Sequence, residues 1–198
     1  MNSKIIFKFF FILITFFLSS CFSKEISIVI NSSNNNFCEG TVFTFINNTK
    51  EFGIEFLIKD ILTVELTKNG YILKDPSIVK SFFTPEEKIR YFENPEIALS
   101  PELIQRLGSI LGLKWIIGGK ILEAEKIGDY VKIELLIWVK ETKKGRLIWY
   151  SYYERDSDSY RTILHFGKIT DLYSLVERMV KKDIIKDLKK VLICERKS

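Results

Sequence analysis

The stretch "YVKIELLIWVK", residues 130–140, constrains the fold more than any other. Val131, Ile133, Leu135, Ile137 and Val139 fall on one side of an extended chain, and Lys132, Glu134, Leu136, Trp138 and Lys140 on the other. A period of two is the side-chain period of a β-strand, with one face buried. "WIIGGKILEAE" (115–125) precedes it across the turn "KIGD", and "RLIWYSYYE" (146–154) follows it across "ETKKG". Three strands joined by short turns form an antiparallel meander. Inside the first, Gly118-Gly119 predicts a bulge or a close approach by another backbone.

Elsewhere the apolar period is that of a helix. Ile54, Leu57, Ile58, Ile61 and Leu62 make one stripe, continued less strictly to Leu66, and Asn69-Gly70 ends it. Thr84-Pro85 and Ser100-Pro101 each place a capping hydroxyl before a proline, the signature of a helix start. The second start leads into Leu103, Ile104, Leu107, Ile110 and Leu111 and stops at Gly112. A last stripe runs through Leu172, Leu175, Val176, Met179, Val180, Ile184, Leu188 and Val191, capped by Thr170 or Asp171. "TVFTFINNT" (41–49) and "YILKD" (71–75) read as strands, the second limited by Pro76, and "SIVKSFF" (77–83) is ambiguous. The order predicts an α/β chain of the α+β type, in two layers. A single mixed sheet of about five strands carries helices packed on one face.

The amino terminus has a different grammar. Lys4 and Lys8 precede an apolar run that ends at Leu18-Ser19-Ser20-Cys21, and the first carboxylate is Glu25. A membrane-spanning helix needs about 20 apolar residues, and this run is shorter. A basic start, a short apolar core and small residues form a secretory signal. Leu18-Ser19-Ser20-Cys21 resembles the bacterial lipobox, in which the cysteine thiol takes a diacylglyceryl group and becomes the first mature residue. The bland alternative is an ordinary signal with an incidental cysteine. Acylated Cys21 would anchor the chain in a lipid bilayer, each buried methylene contributing about 0.8 kcal/mol. In such proteins Asp after the cysteine marks inner-membrane retention. Phe22 stands there, so the resemblance favours the outer membrane with the domain in the periplasm. The expected organisation is a signal peptide over 1–20, lipidated Cys21 with a short tether over 21–37, and one periplasmic domain over 38–198. Within the tether, Ile26 to Ile30 reads either as a short strand or as a continuation of the leader, and residues 31–36 are a polar run.

Without Lys4 and Lys8 the chain has 28 basic and 25 acidic residues, a balance of +3. That is too even for a nucleic-acid footprint, and no nucleic-acid partner is expected. The lysines between 181 and 190 are interleaved with Asp183 and Asp187, which reads as a solvated helix face, or less readily as a surface for anionic lipid. The lone His165 has no metal-ligand spacing, and no HExxH, GxSxG, P-loop or GxGxxG pattern occurs. "ERDSDS" (154–159) lacks the glycine and glutamate of a calcium loop. No catalytic residue, metal or cofactor is expected. An exported chain is in a disulfide-permissive compartment, and Cys38 and Cys194 bracket the domain. A bond between them, two free thiols, and an intermolecular bridge through Cys194 all stay open.

The third strand is unusually aromatic. Trp149 and Tyr153 face one way, Tyr150 and Tyr152 the other. One side must be core. The other is either a partner-binding face or is covered by helices, tether or a second copy. Trp149, Tyr150, Tyr152 and Tyr153 are therefore the candidate binding residues.

Three segments carry a family resemblance: "TVFTFINNT" with "GIEFLIKDILTVELTKNGYIL", then "LSPELIQRLGSILGLKWIIGGKI", then "VKETKKGRLIWYSYYERDSDSY". They resemble periplasmic lipoproteins related to the curli-secretion protein CsgG, the activator lipoprotein LpoB and the amino-terminal domain of TolB. The likeness covers residues 40–190, with Lys143-Lys144 where the family has Thr-Gly, one residue longer. It implies no catalytic set but an envelope adaptor that touches an unidentified envelope protein. The alternative it carries is a component of a CsgG-like secretion or pore assembly, for which a homo-oligomer would be needed. Against a pore, Lys132, Glu134 and Lys140 alternate along the long hairpin strand and leave no lipid-facing band.

Overall fold

The computed structural model describes residues 25–29, 37–93, 99–162 and 167–194. The leader, Cys21, residues 31–36 and His165 lie outside them. Three long strands form the centre: β5 (Trp115–Ile127), β6 (Tyr130–Glu141) and β7 (Arg146–Asp156). They pair antiparallel in chain order, the meander that their alternation and short turns dictate. On the far side of β5, β2 (Glu39–Val42) pairs parallel, and β4 (Ile72–Leu73) pairs parallel to β2. The two-residue β3 (Ile46–Asn47) continues along β5 beyond β2. β1 (Glu25–Val29) closes the other side against β7, so the path reads β1-β7-β6-β5-β2-β4. Residues 25–29 are thus a strand of the sheet and not part of a free tether. The exposed edge of β7 supplies the backbone partners that a short apolar segment needs.

One face of the sheet is covered by α1 (Ile54–Lys68) and by a rod made of α5 (Leu172–Met179), a π-helical segment (Val180–Ile184) and α6 (Ile185–Val191). Ile54, Ile58, Leu62 and Leu66 meet Val131, Ile133, Leu135, Ile137 and Val139 in one apolar cluster. Burial contributes roughly 1.5–3 kcal/mol per fully covered side chain of this size. The rod starts where Asp171 accepts a hydrogen bond from the Ser174 backbone N–H at 2.8 Å.

The helices are not confined to that face. α2 (Pro76–Ser81), α3 (Pro85–Glu93) and α4 (Pro101–Leu111) build a second cluster in which Val79, Phe83, Tyr91, Leu103 and Leu107 surround Phe43, Ile116 and Trp138. Ile116 and Ile117 are neighbours on one strand, so they point to opposite faces and join different clusters. Chain direction explains the two-sided cover. The path from β2 through α1 to β4 moves outward along the sheet, and the path from β4 to β5 moves back. Crossovers between parallel strands are right-handed, so reversing the direction of travel puts the second set of helices on the other face. The single mixed sheet with packed helices is as expected, but this end of it has three layers.

The paired glycines find their reason here. A Cβ on Gly118 would run into the Trp138 ring, and one on Gly119 into the Phe45 ring and the Leu136 carbonyl oxygen. The close approach is chiefly by aromatic rings, one on each face. The bulge of β5 lies between Ile121 and Glu123 instead.

At the end of the sheet where β2 and β5 begin, Cys38 and Cys194 are joined, with Cα atoms 4.7 Å apart. The Phe37 N–H donates to the Ile193 carbonyl at 2.9 Å, and the Tyr71 hydroxyl donates to the Leu192 carbonyl. Asp183 and Asp187 do not lie on a solvated face. Asp183 accepts from Arg155 Nε at 2.8 Å and from the Tyr160 hydroxyl, and Asp187 accepts from the Tyr153 hydroxyl at 2.9 Å. Asp183 sits in the π-helical segment, so the wider turn falls where the rod meets this pair of sheet and loop donors.

Candidate functional site

Strand β7 decides which aromatic residues a partner can reach. Trp149 is 1% exposed and Tyr153 is 0% exposed. Both sit in the core under α1 and the carboxy-terminal rod. They are therefore withdrawn from the binding set that the sequence proposes: alternation puts them on the face with the largest helical cover. Tyr150 and Tyr152 point the other way and are half-buried.

On that second face the register stacks the strands in rows. Tyr150 lies between Ile28 of β1 and Trp138 of β6, and Ile28 is 56% exposed. Tyr150 and Leu147 pack on the cluster under α4, so this row borders the helical cover. The next row holds Tyr152, Leu136 and Lys120. Beyond it stand Glu154, Glu134 and Glu123, and then Asp156, Lys132 and Glu125. The last two rows bring five carboxylates and one ammonium group onto one face, and three of the carboxylates lie against the ammonium. Lys132 Nζ is 2.6 Å from Glu123, 2.6 Å from Glu134 and 3.4 Å from Glu154. The Tyr152 hydroxyl donates to Glu154 Oε2 at 3.3 Å.

This geometry holds the protons in place. Hydrogen bonds to Glu123 and Glu134 raise the Lys132 pKa above the usual lysine value. Burial works against the Glu134 carboxylate, but the bonds that it accepts, led by Lys132, outweigh this and hold it below the ordinary range. Burial pushes the Tyr152 phenol up, and the neighbouring Glu134 and Glu154 carboxylates add to the effect. An ammonium kept charged is not a nucleophile, and a phenol kept protonated is a hydrogen-bond donor. The patch is built to present fixed polar groups around an aromatic ring. Among the described residues no group of three His, Cys, Asp or Glu is placed to hold a metal ion, and no helix is long and apolar enough to cross a membrane.

The sequence reveals Lys132 and Glu134 as residues of one strand face but not their union with Glu123 and Glu154. That union depends on register across two strand pairs, one of them bulged. Asp156 and Asp158 belong to a local turn: Asp156 Oδ1 accepts from the Asp158 N–H at 3.0 Å and from Ser159 Oγ at 2.8 Å.

No family model and no curated protein sequence matches the chain. Solved structures do match its fold. A PelC dodecamer from Paraburkholderia phytofirmans superposes with a TM-score of 0.55 at 9% identity, covering 88% of this chain and 100% of that one. Lipoprotein GNA1162 from Neisseria meningitidis reaches a TM-score of 0.47 at 12% identity, over 77% of this chain and 99% of that one. The LpoB carboxy-terminal domain from Escherichia coli reaches 0.42 at 12% identity, over 63% of this chain and 87% of that one. At these identities the PelC match establishes a shared fold alone. The CsgG side of the resemblance gains no support from these structures.

Proposed function

We propose that the protein is an envelope lipoprotein, anchored in the outer membrane through acylated Cys21, whose periplasmic domain acts by binding other envelope proteins and not by catalysis. The observation that carries this reading is the second sheet face beyond α4. There a half-buried Tyr152 and Leu136 adjoin the carboxylates around Lys132, with no helix over them among the described residues. An aromatic ring with fixed polar neighbours is the composition of a binding surface. Lipobox residues Leu18 to Cys21 supply the anchor, and Phe22 the outer-membrane preference. A Cys21→Ser chain should lose the acyl mass and leave the membrane fraction, and outer-membrane markers should accompany the native chain in a sucrose gradient. Unchanged fractionation of Cys21→Ser would remove the anchor from the reading.

The binding face is tested by two variants measured together. Tyr152→Ala should abolish crosslinking to the native partner from a photoreactive residue at Leu136, while its melting temperature falls little. Trp149→Ala should instead cost about 3–5 kcal/mol of stability, as buried aromatic residues do. Equal destabilisation by the two, or crosslinks from Leu136 that survive Tyr152→Ala, would make Tyr152 a core residue and end the proposal.

A second reading is a homo-oligomer. The PelC structure that shares the fold is a dodecamer, and β1 ends the sheet with Ile28 exposed, an edge to which a neighbouring copy can add. Sizing of the soluble domain separates the two: a monomer or dimer supports the adaptor, a large ring the assembly.

A further inference from the structure

The tip of the β5–β6 hairpin carries exposed apolar side chains that the core does not use. Ile127 is 68% exposed and Tyr130, its cross-strand partner, 41%. Between them Gly128 and Asp129 make the turn, and Lys126 precedes them, all exposed. Chain geometry brings this tip to the anchor. β1 runs antiparallel to β7, so its first residue, Glu25, lies toward the hairpin end of the sheet. Glu25 is level with Tyr153, Leu135 and Ile121. From Leu135 to Tyr130 is five residues, so the tip projects about 17 Å past that level. Cys21 is four residues before Glu25, which spans at most about 14 Å. With a tether and a hairpin overhang of similar length, a lipid anchor at Cys21 keeps the bilayer surface close to the tip. The carboxy-terminal disulfide end faces away, because β5 runs from that end toward Ile127.

We infer that the Ile127–Tyr130 hairpin tip is a membrane-contact element that inserts into the interfacial zone of the phospholipid bilayer to which Cys21 is tied. This rests on the reading of Cys21 as the lipidated residue. An isoleucine and a tyrosine at one end of a rigid hairpin suit the boundary between headgroups and acyl chains, where an apolar body and a polar tip are both satisfied. Asp129 in the turn and Glu125 just behind keep the contact shallow, since a carboxylate in the hydrocarbon is costly. The contact also gives the domain a fixed attitude. The strands stand on the bilayer, and the row of Tyr152 and Leu136 looks sideways into the periplasm, where a partner can reach it.

The test uses the full-length acylated chain in vesicles of phosphatidylethanolamine and phosphatidylglycerol with brominated acyl chains. The native tryptophans, Trp115, Trp138 and Trp149, are buried and give a constant background. Tyr130→Trp places a reporter at the tip, and Ile72→Trp, 56% exposed on β4 at the opposite end of the sheet, serves as the control. The added emission of Tyr130→Trp should shift to the blue and be quenched at least about twofold more than that of Ile72→Trp, as expected of a ring in the headgroup–acyl boundary. Mass spectrometry of the same sample reports acylation at Cys21. Acylated protein with equal quenching at both positions overturns the tip contact alone. A chain without acyl mass overturns the anchor and, with it, the geometric argument for the tip.

Discussion

Replacing Cys38 and Cys194 together by alanine isolates what the covalent closure contributes. The bond joins residues 156 apart in sequence, so nearly the whole domain is one loop. The chain-entropy relation gives about 5 kcal/mol for a loop of that length, an upper figure because residual structure in the unfolded chain lowers it. The local bonds at the junction do not depend on sulfur. The Phe37 N–H still meets the Ile193 carbonyl, and the Tyr71 hydroxyl still meets the Leu192 carbonyl. The variant therefore reports the cross-link and not the loss of the surrounding contacts. With a urea slope of about 2 kcal/mol/M for a domain of this size, the midpoint should fall by about 2.5 M at most. Urea unfolding by far-ultraviolet circular dichroism, on oxidised protein, reduced protein and the double variant, reads it directly. Reduced protein and the variant should coincide, both well below the oxidised protein. A midpoint difference under about 0.5 M would refute the loop argument, because it leaves about 1 kcal/mol for a loop assigned five. Two free thiols in native protein under non-reducing mass spectrometry would refute the bond itself.

Gly119→Ala should cost about 1–3 kcal/mol, since the new methyl meets the Leu136 carbonyl oxygen, a backbone atom that cannot turn aside, as well as the Phe45 ring. A melting temperature equal to the parent's would show that β5 and β6 separate there more easily than the register implies. At the start of α3, burial works against the Glu87 carboxylate, but the Thr84 N–H at 2.7 Å and the Arg106 guanidinium at 2.5 Å outweigh it and lower its pKa from 4.5. A lowered folded pKa means that the contribution is whole above the unfolded value and is lost as the pH falls through the folded one. As the pH falls from about 5 through the lowered folded value, the parent should therefore lose up to about 1 kcal/mol more than Glu87→Gln. Parallel pH profiles in urea would show the same slope for both proteins if the pair contributes nothing.

Local periodicity and end signals were sufficient for most elements. Thr84-Pro85, Ser100-Pro101 and Asp171 start helices because a capping oxygen acts on N–H groups two or three residues away. The alternation of Val131 to Val139 commits β6 to a sheet for a similarly short-range reason, the pleat of one strand. The leader and Cys21 lie outside the described residues and rest on linear sequence grammar alone. Tertiary structure alone decided what depends on partners far along the chain. Trp149 and Tyr152 belong to the same aromatic run, and which one is core follows from the face that the rod of Leu172 to Val191 occupies. The helices between β4 and β5 went to the opposite face because crossover handedness acts on the direction of travel through the sheet, which no local pattern encodes. Asp183 alternates with lysines in sequence, yet it turns inward because Arg155, 28 residues earlier, waits there on β7. The gathering of Glu123, Glu134 and Glu154 around Lys132 is again a matter of cross-strand register. Short-range sterics and hydrogen bonds act before the chain has closed any long loop. Register, face and side-chain partnership exist only after it has.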